Sequence, residues 1–255
     1  MLPQIICAAS VPAFHPSTCN LRADKSIVEP SSKTQSGYRN LMPAYYFLHT
    51  AAFFHQDFVP ALTACWHDRS FDPCRPLCKD LLSAVDAFAA RGWAIPEKPL
   101  VCLAADGLAF DRHFWIQLVG EILLYGSAEI PEIQSDLQTL RELIEPGKAP
   151  LDSLNRDSFR PIEQAHFGSR DLTFGSKIYR PDHAGYDDAE DVIRLQSFLD
   201  GIDPARWDPA NLSEPAADPE DLADQLAFAE QSLSLLQDTY RRARSQGNLI
   251  IHETL

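Results

Sequence analysis

Apolar side chains recur every three or four residues along much of the chain, which is the spacing of helices with one buried face. The longest such segment is 219–246, where Asp218 and Pro219 supply a helix start and Gly247 a stop. The apolar run 249–251 that follows it predicts a terminal strand. Other segments with this helical spacing are 58–66, 77–91, 111–123, 137–144 and 188–202.

Two apolar runs lack a clear period. Residues 44–55 are crowded with aromatic side chains and contain no helix breaker after Pro43, so we predict a helix there, buried on several sides. Residues 99–104 are apolar and short, which favours a strand.

These elements predict an α+β fold. We expect a mostly helical single domain over residues 41–255, with a small sheet and a long C-terminal helix followed by a short strand. Residues 1–40 show no period and carry Pro, Ser and Thr, so we expect an N-terminal arm with the composition of a flexible segment.

Negative charge is concentrated in the second half of the chain. The formal net charge is −14, of which residues 1–128 carry −1 (10 Lys/Arg against 11 Asp/Glu) and residues 129–255 carry −13 (12 against 25). Within segment 182–224, 13 acidic residues face only Arg194 and Arg206. Such a surface repels nucleic acid and attracts a basic protein partner, although a solvated face that keeps the protein soluble explains the same acids.

The composition also bears on membrane association and cellular location. No apolar run approaches the roughly 20 residues needed to span a bilayer, and we expect no membrane partner. The first residues lack the basic and apolar regions of a signal peptide, and six cysteines in 255 residues do not form a disulfide framework, so we expect a cytoplasmic protein.

Cys65, His67, Cys74 and Cys78 are candidate metal ligands, because four soft or borderline donors lie within 14 residues. The spacing C-x-H-x6-C-x3-C departs from the usual pairs of zinc sites. Two interpretations therefore stay open: a zinc site, or cysteines that are buried as small apolar residues.

A second candidate site is the loop 166–171, which brings His166, Ser169, Arg170 and Asp171 close together in sequence beside Gly168. Loops with several polar groups often bind ligands, while a simple turn explains the glycine equally well. The chain contains no P-loop, dinucleotide fingerprint, nucleophile elbow or zincin helix, so no catalytic residue is predicted.

The C-terminal part carries a resemblance. It reads Asp-Pro-Glu-Asp-Leu from residue 218 and Tyr-Arg-Arg-Ala-Arg-Ser-Gln-Gly-Asn-Leu-Ile-Ile from residue 240. This pattern, over 187–252, resembles the end of a small uncharacterised bacterial family, the YfbM-like proteins, and residues 111–126 resemble it more weakly. The resemblance implies an α+β fold in a bacterial protein and implies no catalytic residues.

The function that these observations favour is protein binding or regulation. We expect a module of the immunity or antitoxin kind that neutralises a basic partner through the acidic segment 182–224. The alternative is an enzyme or a metalloprotein that uses the Cys/His site at 65–78 or the polar loop at 166–171.

Overall fold

A computed structural model of the chain describes residues 44–78, 109–127, 132–133, 137–147, 156–179, 183–213, 216 and 218–254. The expected arm at 1–40, the strand at 99–104 and most of the helix at 77–91 lie outside these residues. The strands are β1 Ala44–Thr50, β2 Glu132–Ile133, β3 Arg170–Asp171, β4 Thr173–Phe174, β5 Lys177–Ile178, β6 His183–Asp187 and β7 Asn248–Thr254. The α-helices are α1 Val59–Asp68, α2 Arg75–Cys78, α3 Arg112–Gly126, α4 Leu137–Ile144, α5 Pro161–Phe167, α6 Ala189–Asp200 and α7 Pro219–Gln246.

Five strands form one antiparallel sheet in the order β2-β1-β7-β6-β3, while β4 and β5 form a separate hairpin. The C-terminal strand β7 is central, pairing with β1 from Asn248 to Thr254 and with β6 from Ile250 to Thr254. The predicted α+β fold, with a small sheet and a long C-terminal helix followed by a strand, is confirmed.

The prediction of one helix over 44–55 is wrong for its first half. Residues 44–50 form β1, and the chain becomes helical only after Thr50, with a π-helical turn at Phe53–Phe58. Tyr46 and Leu48 pack on one side of the sheet and Phe47 on the other, so both faces of the strand are buried. A strand covered on both faces has a continuous apolar run and shows no alternation that distinguishes it from a helix.

Two apolar cores lie on the two faces of the sheet. One contains Phe47, Leu249 and Ile251 together with α1, α3 and the β4–β5 hairpin. The other contains Leu48 and Ile250 together with α4, α5, α6 and α7. Candidate sites in the first layer are therefore separated by the sheet from the helices of the acidic segment.

The helix ends follow the capping chemistry of the sequence. Asp111, Asp188 and Asp218 accept hydrogen bonds from the first backbone amides of α3, α6 and α7. Gly247 ends α7 in the left-handed conformation, with φ of 66°. No helix in the described part of the chain is long and apolar enough to cross a bilayer.

Candidate functional site

The cysteines of segment 65–78 meet inside the first core. Cys65 lies on α1, Cys74 on the 3-10 turn Asp72–Cys74 and Cys78 at the end of α2, and all three are buried. The Sγ atoms of Cys65 and Cys74 are 2.7 Å apart. The hydrogen bond with Cys65 and burial raise the pKa of the Cys74 thiol far above its usual value, with a further contribution from Cys78.

His67 does not join these thiols. Its side chain is 85% exposed, and its Nδ1 lies 2.8 Å from the Asp68 carboxylate. Among the described residues, no group of three or more His, Cys, Asp or Glu side chains has an arrangement that holds a metal ion. The structure thus brings Cys65 and Cys74 into contact, buries Cys78 in the same core and places His67 elsewhere, while zinc binding itself stays a prediction.

The polar loop 166–171 is divided among separate contacts. His166 is buried at the end of α5 with its Nδ1 3.0 Å from the Tyr46 hydroxyl, and burial lowers its pKa to about 3, with smaller contributions from His252 and His183. Ser169 accepts a hydrogen bond from Arg194 through its hydroxyl.

The two charged residues of the loop form ion pairs. Arg170 bridges Asp188 and Asp191, and Asp171 binds the Arg156 guanidinium. The four predicted binding residues therefore do not converge on one open surface, because each one helps to fix α5, β3 or α6 in place.

A buried polar cluster at the sheet was not singled out from the sequence. The Asp187 carboxylate on β6 accepts from the Tyr240 hydroxyl at 2.5 Å, from His252 Nε2 at 2.8 Å and from the Ser169 amide at 2.7 Å. Asp187, Tyr240 and His252 are at most 1% exposed. These side chains are closed to solvent, and their hydrogen bonds join β6, β7 and α7 inside the molecule.

A second buried carboxyl lies on the opposite face of β7. Glu253 accepts a hydrogen bond of 2.6 Å from the Tyr179 hydroxyl. Burial raises the pKa of Glu253 to about 7, against the opposing effect of the bond from Tyr179. Its protonation therefore changes near neutral pH. The sequence does not indicate that Glu253 is buried, because a Glu at the end of a terminal strand is ordinarily exposed.

A small open cavity lies between α1, the first turns of α3 and strand β5. Its volume is about 310 Å³, at the lower end of the range for ligand sites. It is lined by Trp66, Arg112, Trp115, Ile116, Lys177, Ile178 and Tyr179. The Trp66 and Trp115 ring centroids are 4.9 Å apart, and none of the described residues that line the cavity carries a carboxylate.

Most of the described carboxylates of the acidic segment 182–224 fall into two groups. Near the start of the segment, Asp187 is fully buried, and Asp188 and Asp191 pair with Arg170, so these carboxylates are engaged within the molecule. From residue 200 to residue 224, the described carboxylates are exposed. They are those of Asp200, Asp203, Asp208, Asp218, Glu220, Asp221 and Asp224.

Comparison with known proteins adds a likeness in fold. No protein-family model matches the chain, and no curated protein matches it. The chain resembles YfbM. That protein, from Escherichia coli, has a crystal structure and an unknown function, and the match has a TM-score of 0.41 and 14% identity over 84% of this chain and 100% of that one. The predicted likeness to YfbM-like proteins is confirmed, and it assigns no activity.

Proposed function

We propose that this chain is a protein-binding, regulatory module of the immunity or antitoxin kind, and that its acidic segment docks a basic protein. The observation that carries the proposal is the charge imbalance beyond residue 200. The described residues from 200 to 224 include seven exposed carboxylates and a single base, Arg206, which pairs with Asp203. Asp200 pairs with Arg241 of α7, so the excess of negative charge lies on Asp208 and at the start of α7. Clustered charge of one sign accelerates the encounter with a partner of opposite sign and selects against the wrong partners.

The start of α7 lies beyond the end of α6. Helix α7 runs antiparallel to α6, as shown by the contacts of Arg241 with Asp200 and of Arg244 with Gln196. The residues of α7 that precede Arg241 therefore extend past the end of α6, and 20 residues of helix cover about 30 Å. The first turns of α7 thus present Glu220 and Asp224 to solvent at one end of the molecule.

Several of these carboxylates are held in fixed positions. Asp203 and Asp208 each accept a hydrogen bond from a backbone amide of the 3-10 turn that follows, Pro204–Arg206 and Pro209–Asn211. Asp218 does the same at the start of α7. A neutral amide orients a carboxylate without cancelling its charge, so the acids lose little conformational freedom when a partner binds.

The proposal keeps the bacterial, cytoplasmic setting that the sequence predicts, and it narrows the contact surface to residues 200–224. The alternative function is an enzyme or a metalloprotein, and its two candidate sites differ in how far the structure supports them. The polar loop at 166–171 is engaged in ion pairs and buried hydrogen bonds, whereas the cysteines at 65–78 do approach one another.

Affinity purification with the full chain as bait tests the proposal. We expect a basic protein to co-purify at low salt and to be lost at high salt, since interactions between exposed charges are screened within about 10 Å at 0.1 M salt. The variant Glu220→Gln/Asp224→Asn should retain about a tenth of that partner or less. The matched control Asp57→Asn/Asp157→Asn changes the net charge equally at exposed acids outside the segment and should retain it.

Two results would contradict the proposal. One is that no protein co-purifies at low salt. The other is that both double variants lose the partner equally, because binding would then follow overall charge and not the acidic end.

A further inference from the structure

Two thiols from neighbouring elements face each other in the core. Cys65 Sγ on α1 and Cys74 Sγ on the turn after it are 2.7 Å apart, and the two residues are 0% and 1% exposed. A disulfide joins two sulfur atoms at about 2.05 Å, so these side chains already point at one another and a bond needs a shift of less than about 1 Å.

The backbone between the two cysteines imposes this approach. Arg69 ends α1 in the left-handed conformation, with φ of 54°, and this reverses the chain direction. The Ser70 amide then donates to the Cys65 carbonyl, and the Cys74 amide donates to the Phe71 carbonyl. Phe71 is buried in the first core, so the turn is anchored independently of the sulfur atoms.

The surrounding side chains favour thiol chemistry over metal binding. A structural zinc site needs four ligands in a tetrahedron. His67 is 85% exposed and lies against Asp68, and the described residues offer no group of three or more ligands around the pair. Cys78 follows on α2 and contributes to the electrostatics of Cys74.

We propose that Cys65 and Cys74 are a redox-active pair that closes into an intramolecular disulfide, with hydrogen peroxide as the oxidant. One cysteine, as its thiolate, attacks the O–O bond of peroxide and becomes a sulfenic acid, releasing hydroxide. The second thiol attacks that sulfur, the S–S bond forms, the S–O bond breaks and water leaves with the proton of the thiol. In total, two thiols and one peroxide give one disulfide and two water molecules.

Burial determines which oxidants act, and the pKa of Cys74 determines its part in the reaction. Both sulfurs are closed to bulky reagents, so a small oxidant reaches them and a protein disulfide does not. The raised pKa of the Cys74 thiol keeps it protonated at neutral pH, so Cys74 takes the part of the second thiol, which attacks the sulfenic acid.

The bond would also fix one wall of the cavity. Trp66 follows Cys65 directly and lines the cavity, and the Arg69 guanidinium lies 4.7 Å from the Trp66 ring centroid. A disulfide between Cys65 and Cys74 closes the loop that contains both residues, so the oxidised form holds this wall more rigidly than the reduced form.

Peptide mapping of the full chain tests the proposal. The protein is treated with peroxide, its free thiols are alkylated in denaturant and it is digested with trypsin. Arg69 gives a cleavage site between the two cysteines, while Arg75 precedes Pro76 and resists cleavage, so Cys65 and Cys74 fall in peptides 40–69 and 70–79. We expect these peptides to be cross-linked, with the mass of two hydrogens lost, and to separate on reduction.

Three variants assign the bond. Cys78→Ser should give as much cross-linked peptide as the wild type, and Cys74→Ser should give less than about a tenth of it. Cys74→Ala serves as a second version of that variant, and circular dichroism confirms that each variant is folded.

Each contrary outcome overturns the proposal. The first is that folded wild-type protein gives no cross-linked peptide under peroxide that oxidises the cysteines of the urea-unfolded chain. The second is that Cys74→Ser cross-links as well as the wild type, which makes Cys78 the partner. The third is one zinc ion per purified chain that protects both thiols, which makes the site a metal centre.

Discussion

Asp187 shows how single residues hold this fold together. One carboxylate connects a buried tyrosine of α7, a buried histidine of β7 and the half-buried amide of Ser169. A buried charge is tolerated when its lone pairs are occupied, and it becomes strongly destabilising when its partners are removed. Removing the carboxylate is also destabilising, because its donors are then left without their acceptor.

Substitutions in this cluster should therefore be graded. Asp187→Ala should lower the free energy of unfolding by about 3–5 kcal/mol, because it leaves a histidine, a hydroxyl and an amide without their acceptor. Tyr240→Phe should cost about 2 kcal/mol, since the carboxylate keeps two other donors. Urea denaturation measures both, with Tyr186→Phe as a half-buried control expected within about 0.5 kcal/mol of wild type. Equal costs for the two tyrosine variants would show that the cluster contributes little.

Glu253 makes stability depend on pH. Its folded pKa of about 7 lies above the ordinary value of 4.5. Between these two pH values, the folded state keeps a proton that the unfolded chain releases. The favourable contribution is thus present below about pH 4.5 and is lost as the pH rises through 7. Glu253→Gln should unfold with about the wild-type free energy at about pH 4 and exceed it by about 3 kcal/mol at about pH 8.

Comparing the two proteins at each pH isolates this carboxyl. Burial lowers the pKa of His49 to about 4 and that of His166 to about 3. These two histidines therefore reduce the stability of the folded protein as the pH falls below 6.5, whereas Glu253 reduces it as the pH rises. Both histidines are present in both proteins, so their effects cancel in the difference. Parallel pH profiles for wild type and Glu253→Gln would contradict the assignment.

At the level of secondary-structure elements, two glycines in the left-handed region have different roles. Gly168 ends α5 with φ of 83°, and a Cβ there would lie 2.6 Å from the Tyr186 nitrogen and 2.8 Å from the Gly185 carbonyl carbon. Gly247 ends α7 with φ of 66°, and a Cβ there would meet nothing within 4 Å. The first glycine allows α5 to approach β6 closely, while the second serves only the turn.

Alanine substitutions separate backbone strain from steric contact. Gly247→Ala should cost about 1 kcal/mol, the penalty of the left-handed conformation alone. Gly168→Ala should cost more than about 3 kcal/mol, because strand β6 must also move. Thermal or urea unfolding of both variants checks this order, and equal costs would show that α5 shifts away from the sheet freely.

The sequence predicted those elements whose signals are local. Helices α3, α6 and α7 follow from one apolar face and an aspartate cap, and each is present. Strand β1 was misread because burial on both faces removes the alternation that identifies a strand. The Asp187 cluster joins residues 18 to 65 positions apart in sequence, and no local pattern indicates such contacts.

The candidate sites show the same limit. The approach of Cys65 to Cys74 depends on the chain reversal at Arg69, which has a positive φ. No sequence pattern predicts a positive φ at a non-glycine residue such as this one. The polar loop at 166–171 was recognised as polar, but its ion pairs with Arg156 and Asp191 come from distant segments.

For the whole molecule, the sheet separates two regions of different character. The thiol pair and the cavity lie in the layer of α1 and α3, and the exposed carboxylates lie at the junction of α6 and α7 in the other layer. Substitutions in the thiol pair should therefore leave partner binding intact, and neutralising the acidic end should leave disulfide formation intact.

Hydrogen exchange of the full chain, with and without the basic protein that co-purifies at low salt, tests the central claim most directly. The account predicts added protection of backbone amides at residues 200–224, and its loss in Glu220→Gln/Asp224→Asn. Protection confined to the layer of α1 and α3, with residues 200–224 exchanging as in the free chain, would contradict the docking surface proposed for this protein.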